Sequence, residues 1–243
     1  MSLFSRTTTQ IQLHPAPPSE PNDHRVRWFE LGLVLLVAFS GSVFTSIYFL
    51  RAGPPSAPRI SMLQWIASGV HQLIGLLLLG YVLARRSRSF RDLGLAWSLR
   101  DVAVGCGLTF AAFFSYLIGV VLLRSLHTRI FGTPGSSAAG RDFFLHPGIA
   151  GLLFTLINAP FEELIVRAYV MTEISDLTGS ILLAGVASVA IQISYHLYYG
   201  VQGALSVGFL FLVFTIYYAQ NRRALPIVTA HALFDLYAIY RLW

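Results

Sequence analysis

The chain has 243 residues, of which 55% are hydrophobic and only 12% are charged. Soluble domains carry about 25% charged residues, so this composition excludes a soluble globular protein and indicates an integral membrane protein. The net charge of +6 comes from arginine, because the sequence contains no lysine. The arginines fall mainly between apolar runs, which is typical of membrane topology and of contact with anionic lipid headgroups. We therefore expect membrane lipid, and no nucleic acid, as a partner.

The N-terminal residues 1–27 differ from the rest of the chain. They are polar, rich in proline and without periodicity, which predicts a disordered or surface-lying tail. Cys106 is the single cysteine, so an internal disulfide bond is excluded.

Apolar runs make up most of the remaining chain, and each is close to the ~20 residues that a helix needs to cross ~30 Å of hydrocarbon. This pattern predicts an all-α polytopic transmembrane helix bundle with about seven spans. The runs are approximately 28–50, 61–83, 101–124, 148–171 with an extension to Leu177, 180–199, 203–220 and 226–242.

Two of the connections between these runs have features of their own. Residues 85–100 form a basic linker that contains Phe90, Leu93, Leu95 and Trp97, which suggests a short interfacial helix. Residues 125–147 form the longest connection, with room for a short re-entrant segment. Counting arginines on the two sides of the spans favours a cytoplasmic N-terminus.

The most informative segment contains Glu162, Glu163 and Arg167 within an apolar run. A charge near the bilayer centre is costly, so such residues are paired, functional or both. Glu163 and Arg167 have the i,i+4 spacing of a helical ion pair. Glu162 points about 100° away around the helix and has no local partner. Pro160 removes a helix hydrogen bond just before them, which predicts a kink.

Three further ionisable residues lie in later apolar runs: His196, His231 and Asp235. His231 and Asp235 are also i,i+4 and share one helix face. Six ionisable groups in three nearby spans are too costly for packing alone, so together they predict a functional site. The neighbouring His71 and Gln72, in contrast, are predicted to make structural hydrogen bonds between helices.

The order of these motifs resembles the CPBP family. That family comprises the type II CaaX prenyl endopeptidases and bacterial proteins formerly grouped as bacteriocin-processing or Abi proteins. The resemblance rests on Glu162-Glu163-x-x-x-Arg167, then His196, then His231-x-x-x-Asp235, and covers roughly residues 145–240. The first three spans resemble nothing specific.

Two positions depart from the family pattern. Gln192 stands four residues before His196, where the family usually has phenylalanine, so we expect altered packing or an added hydrogen bond in a cavity. Asp235 stands where asparagine is more common.

The resemblance implies a conserved C-terminal four-helix catalytic core in residues 145–243. Residues 28–144 would then hold the N-terminal transmembrane helices and the basic linker. It also implies an integral protein of the bacterial plasma membrane that cleaves a peptide or a lipidated protein, with CaaX-type processing as one form of that activity.

The implied chemistry is that of an intramembrane glutamic endopeptidase without a cofactor. A base activates water, and hydrogen-bond donors hold the oxyanion of the tetrahedral intermediate. Asp235, in the motif His231-x-x-x-Asp235, either orients the His231 ring or is protonated and donates a hydrogen bond. We favour the role of orienting His231. The expected roles are Glu162 as base, His196 sharing the water, Glu163 and Arg167 fixing the helix, His231 as oxyanion donor and Asp235 as its orienting partner.

Two alternatives remain open. Glu162, His196 and His231 could ligate a catalytic zinc with an open fourth position, although the sequence has no H-E-x-x-H spacing. The second alternative is a non-enzymatic immunity or scaffold protein, or a proton-coupled carrier, because buried acids and histidines also form proton relays. No internal repeat of the kind common in carriers is present.

The expected depths of the site residues agree only in part. At 1.5 Å per residue, Glu162 and His196 both lie ~22–24 Å from a turn at Gly179. The same arithmetic puts His231 near the opposite end of its span, unless the helices tilt or the turns are displaced.

Overall fold

The computed structural model describes residues 21–53, 61–131 and 148–240. No β-strand occurs in these ranges, and the predicted all-α bundle is confirmed. A π-helical segment, Glu163–Tyr169, joins two helices into one continuous rod, and short 3-10 helices cover Phe90–Leu93 and Leu197–Tyr199. The α-helices are α1 Pro21–Ala52, α2 Met62–Arg85, α3 Leu99–Phe131, α4 Gly148–Glu162, α5 Val170–Thr178, α6 Ile181–Tyr195, α7 Gly200–Asn221 and α8 Ala224–Tyr240.

Each predicted apolar run forms a helix. Within the described ranges, five helical stretches are long and apolar enough to cross a membrane. The shorter apolar helices are α6 with 15 residues and α8 with 17 residues. Together they identify an integral membrane protein. The five stretches are His24–Ala52, Met62–Arg85, Leu99–Ile130, Gly148–Thr178 and Leu197–Asn221.

Two helix boundaries differ from the sequence prediction. Helix α1 begins at Pro21 and not near residue 28, because proline suits the first turn of a helix and Arg27 is held by Glu173 at 2.9 Å. Helix α3 continues to Phe131, so the long connection is shorter than expected. The rest of the predicted tail, 1–20, and the loop 132–147 with its predicted re-entrant segment lie outside the described residues.

The rod formed by α4, the π-helical segment and α5 occupies the centre of the bundle. Every residue from Phe161 to Ile174 is buried. Helices α2 and α8 pack against α4, and α6 packs against α5. Any polar side chain on this part of the rod therefore has to find its partners on the surrounding helices.

A cluster of charged residues holds several helix ends together on one side of the bundle. The carboxylate of Glu173, at the buried end of the rod, accepts hydrogen bonds from Arg27 and Arg86, both at 2.9 Å. Glu30 accepts a hydrogen bond from Arg85 at 3.0 Å. These contacts place the start of α1, the end of α2 and the end of the rod on the same side, as alternating membrane spans require.

The basic linker after α2 docks onto the turn between α7 and α8. Leu93 is fully buried, and its carbonyl accepts a hydrogen bond from the Tyr218 hydroxyl at 3.2 Å. The Gly94 carbonyl accepts one from the Ala224 amide at 3.0 Å. Trp97, in contrast, is 79% exposed. The predicted interfacial helix is therefore a single 3-10 turn with one buried and one exposed anchor.

Gly94 is required at this docking point. Its φ is +84°, and a Cβ atom there would lie 2.1 Å from the Arg222 carbonyl oxygen. We expect Gly94→Ala to lower the unfolding temperature clearly, because left-handed backbone alone costs an L-residue about 1–2 kcal/mol and the clash is with backbone. Thermal unfolding in detergent micelles measures this effect.

The matched control is Gly107→Ala in α3, where nothing lies within 4 Å of the added atom. That change should leave stability unchanged or raise it, since alanine favours helix. Equal unfolding temperatures for both variants would contradict the docking argument.

Candidate active site

The sequence predicted a kink at Pro160, and three residues later the helix continues as the π-helical segment Glu163–Tyr169. Proline lacks the N–H that would continue the α-helical ladder. The segment is stabilised from outside: the Ser188 hydroxyl donates to the Val166 carbonyl at 2.8 Å, and the Tyr218 hydroxyl lies 3.3 Å from the Ala168 carbonyl. Such π-helical turns are rare and frequently occur at functional sites.

The predicted ion pair between Glu163 and Arg167 is present and fully buried. Arg167 Nε lies 3.5 Å from Glu163 Oε2, which is longer than a normal hydrogen bond. The guanidinium carbon lies 4.4 Å from the centre of the Phe211 ring, in a cation–π geometry. Charge and aromatic packing therefore both compensate for the burial of Arg167.

Glu162 has no partner on its own helix turn, as predicted, and is held by α6. Its Oε2 accepts hydrogen bonds from Gln192 Nε2 at 2.6 Å and from the Tyr195 hydroxyl at 2.7 Å. Gln192 Oε1 in turn accepts a hydrogen bond from Arg167 Nη1. The hydrogen bond expected of Gln192 is therefore confirmed, and this side chain links Arg167 to Glu162.

His231 lies against the rod and faces two carboxylates. Its Nδ1 is 2.8 Å from Glu163 Oε1, and its Nε2 is 3.5 Å from Asp235 Oδ1. The ring packs edge-on against Phe211, with centroids 5.1 Å apart. The carboxylate that is hydrogen-bonded to His231 is therefore Glu163, whereas the sequence favoured Asp235.

Asp235 is held by residues that the sequence analysis did not assign to the site. Its Oδ2 accepts a hydrogen bond from Asn158 Nδ2 at 3.0 Å, and Asn158 Oδ1 accepts one from Gln72 Nε2 at 2.6 Å. Both partners of Asn158 lie on other helices, so its spacing along the sequence gave no signal for this role. The neighbouring His71 contacts the Ala38 carbonyl at 3.1 Å, as a structural role predicts.

His196 ends α6 beside the Glu162 carboxylate. Its Nδ1 lies 2.8 Å from the Gln192 carbonyl. A carbonyl only accepts hydrogen bonds, so Nδ1 carries a proton, and in the neutral ring Nε2 then presents a lone pair. The His196 ring packs on the Tyr195 ring, with centroids 4.8 Å apart. Tyr195, whose hydroxyl donates a hydrogen bond to Glu162, therefore also packs against His196.

The depth of His231 is explained by a displaced turn. Helix α7 ends at Asn221, and Arg222 Nη1 donates to Thr172 Oγ1 at 3.2 Å. Thr172 lies six residues before Thr178, where the rod ends, and this is about 9 Å of helix. The turn before α8 thus contacts the rod short of its end, and His231 lies at the level of Glu163, to which it is hydrogen-bonded.

The structure therefore brings all six predicted residues into one cluster around Phe211, in which Glu162, Glu163, Arg167 and His231 are buried and His196 and Asp235 are partly buried. Residues that sequence reasoning missed or set aside are Phe211, Tyr195, Asn158 and Gln72. In the described part of the chain, no group of three or more His, Cys, Asp or Glu side chains is arranged to hold a metal ion.

Comparison with known proteins identifies the C-terminal part of the chain. Residues 145–237 match the family model described as type II CAAX prenyl endopeptidase Rce1-like. No curated protein and no solved structure matches the chain. The matched region contains all six site residues, and the match supports a CAAX-type intramembrane protease, as the motifs predicted. The C-terminal region of the chain, residues 145–237, is therefore that of the type II CAAX prenyl endopeptidase Rce1-like family.

Proposed function

We propose that this protein is an intramembrane endopeptidase of the glutamic type, which hydrolyses a peptide bond with water activated by Glu162 and His196. The observation that carries the proposal is the junction of α4 and α6. There Gln192 and Tyr195 of α6 both donate to the Glu162 carboxylate, and the same two residues contact His196 through the Gln192 carbonyl and the Tyr195 ring. Peptide hydrolysis needs a general base that takes a proton from the attacking water, and a second proton acceptor can share that role.

Glu162 is suited to act as the general base. Both hydrogen-bond donors bind Oε2, which leaves Oε1 to accept a hydrogen bond from water. The water oxygen adds to the peptide carbonyl carbon while Glu162 takes one proton. The tetrahedral intermediate then collapses, the C–N bond breaks, and the proton passes to the leaving nitrogen.

His231 is suited to stabilise the oxyanion. Glu163 binds Nδ1 and orients the ring, the role that a carboxylate plays for a catalytic histidine. Nε2 is 3.5 Å from Asp235, too far for a good hydrogen bond, so its N–H can turn towards a substrate oxygen. A doubly protonated ring carries an N–H at both positions, and the two carboxylates balance its charge.

Arg167 completes the arrangement as a fixed positive charge. It pairs with Glu163 and, through Gln192, binds the side chain that holds Glu162. In a medium of low dielectric constant such fixed charges act strongly on neighbouring groups. Glu163 thus positions His231 of α8, and Arg167, through Gln192, positions Glu162 of the rod.

The substrate is proposed to be a peptide or lipidated protein at the membrane, with CaaX-type processing as the first activity to test. Glu162 lies about 16 Å along the helix from Glu173 and its charged cluster, at ~1.5 Å per residue. A substrate segment would therefore have to enter the bilayer region to reach it. We propose the bacterial plasma membrane as its location, as the family resemblance implies, and a cytoplasmic N-terminus, from the distribution of its arginines.

Glu162→Gln should abolish cleavage while the protein still folds, because the amide cannot accept the proton of water. The assay uses purified protein in detergent, a fluorogenic prenylated CaaX peptide and a panel of unmodified peptides. General-base contributions are typically ~10²–10⁴-fold, so a fall in kcat of at least about 100-fold is expected.

The matched control for this variant is Asp176→Asn, which removes an acidic group from the same rod where its side chain is 47% exposed. It should keep full activity. Cleavage that survives a zinc chelator and is lost only in Glu162→Gln supports glutamic chemistry. Chelator-sensitive cleavage favours the zinc alternative. Absence of cleavage of every peptide by the wild type favours the immunity or scaffold alternative.

Tyr195→Phe should lower kcat by about tenfold or more with little change in folding. The substitution removes one of the two donors to Glu162 Oε2, and a hydrogen bond to a charged group contributes about 1.5–3 kcal/mol. Single-turnover cleavage of the best peptide measures the effect on the chemical step. Tyr81→Phe, at an exposed position of α2, serves as control. Unchanged kcat in Tyr195→Phe would remove Tyr195 from the mechanism.

A further inference from the structure

We propose that Asn158 and Gln72 are positioning residues of this active site: together they fix the Asp235 carboxylate and, through it, the environment of His231 Nε2. The inference rests on the function proposed above. It assigns a role to helix α2, which lies outside the region matched by the family model.

The three side chains form a chain of hydrogen bonds with a single direction. An ionised aspartate only accepts hydrogen bonds, so Asn158 must present its amide N–H to Asp235 Oδ2. The Asn158 carbonyl then points to α2, where the Gln72 amide N–H donates to it. Each residue thus determines the orientation of the next, and Asp235 Oδ1 is left to face His231.

Distances show why Asp235 needs this support. Its contact with His231 Nε2 is 3.5 Å long, and its side chain is 26% exposed. So long a contact at a partly exposed side chain does not by itself hold one rotamer. The 3.0 Å hydrogen bond from Asn158 is the shorter restraint. Without it, the carboxylate could turn away from the ring or compete for the N–H that we assign to the oxyanion.

The state of Gln72 points to a role beyond packing. The side chain is buried, 5% exposed, and its Oε1 has no hydrogen-bond partner among the described residues. An unpaired buried acceptor costs about 1–3 kcal/mol, and leucine at this position would avoid that cost. Donation to Asn158 is the contact that Gln72 gains in exchange.

The test compares Asn158→Leu and Gln72→Leu with the wild type and with His71→Leu. His71 precedes Gln72 on α2 and bonds to a backbone carbonyl of α1, so its removal controls for the loss of an interhelical hydrogen bond. We expect kcat to fall about 10- to 100-fold in the two test variants, as when an active-site group is misplaced. KM should stay within about twofold, because binding is not altered.

Rescue separates positioning from packing. Asn158→Asp alone places two carboxylates against each other and should inactivate the enzyme. Combined with Asp235→Asn, it recreates a donor and an acceptor in reversed order, and kcat should largely recover. If the double variant is as inactive as Asn158→Asp although it folds, the hydrogen bond is not what matters and the inference is overturned.

A readout independent of cleavage is the nitrogen-15 NMR spectrum of histidine-labelled protein, with the His231 signals assigned from His231→Gln. Asn158→Leu should shift the His231 ring resonances and leave those of His71 unchanged. Shifted resonances in a protein that cleaves nothing would overturn the proposed function while keeping the positioning pair. Unchanged resonances together with unchanged kcat in Asn158→Leu would overturn the pair while keeping the function.

Discussion

The structure depends on one constraint: Glu163 and Arg167 are fully buried in the middle of a membrane helix, and neither charge can be left without a partner. Removing two charged groups from water costs so much free energy that the attraction between them can fail to offset it. The 3.5 Å separation shows that the two groups do not satisfy each other fully. The remaining stabilisation comes from neighbouring helices, through Gln192 and Phe211 on the side of the arginine and His231 on the side of the glutamate. The partners that stabilise the pair are thus also the groups that surround the proposed site.

The π-helical segment is what allows this sharing of partners. With a wider turn than an α-helix, it exposes backbone carbonyls to neighbours, and Ser188 and Tyr218 from α6 and α7 bond to two of them. These bonds tie the rod to α6 and α7 at the level of the charged residues. Glu162, the last residue of α4, then faces α6, while Glu163 faces α8. Two adjacent carboxylates thereby serve two different partners.

The N-terminal helices α1 and α2 contact residues of the proposed site. The Ser46 hydroxyl of α1 donates a hydrogen bond to the Tyr195 carbonyl at 2.6 Å. This carbonyl belongs to the last residue of α6, where the helix itself supplies no hydrogen-bond donor. Phe39 of α1 stacks on the Tyr195 ring, with centroids 4.8 Å apart. Gln72 of α2 supports Asn158. The region matched by the family model therefore obtains part of the support for its site from helices that precede it, which favours treating the chain as one structural unit.

The sequence by itself determined the helical membrane fold and the six clustered ionisable residues. A charge in an apolar run is costly wherever the helices pack, so Glu162, Glu163, Arg167, His196, His231 and Asp235 are recognisable from the chain alone. The i,i+4 spacing likewise predicted the Glu163–Arg167 pair, since it depends only on helix geometry.

Only the tertiary structure decided which partner each of these groups has. The hydrogen bond of His231 goes to Glu163, on a helix 68 residues earlier in the chain, and not to Asp235 on its own helix. Asn158, Tyr195 and Gln72 look like ordinary polar residues in the sequence, and their roles appear only when three helices meet. Hydrogen bonds between distant segments depend on packing depth and rotation, to which local periodicity carries no signal.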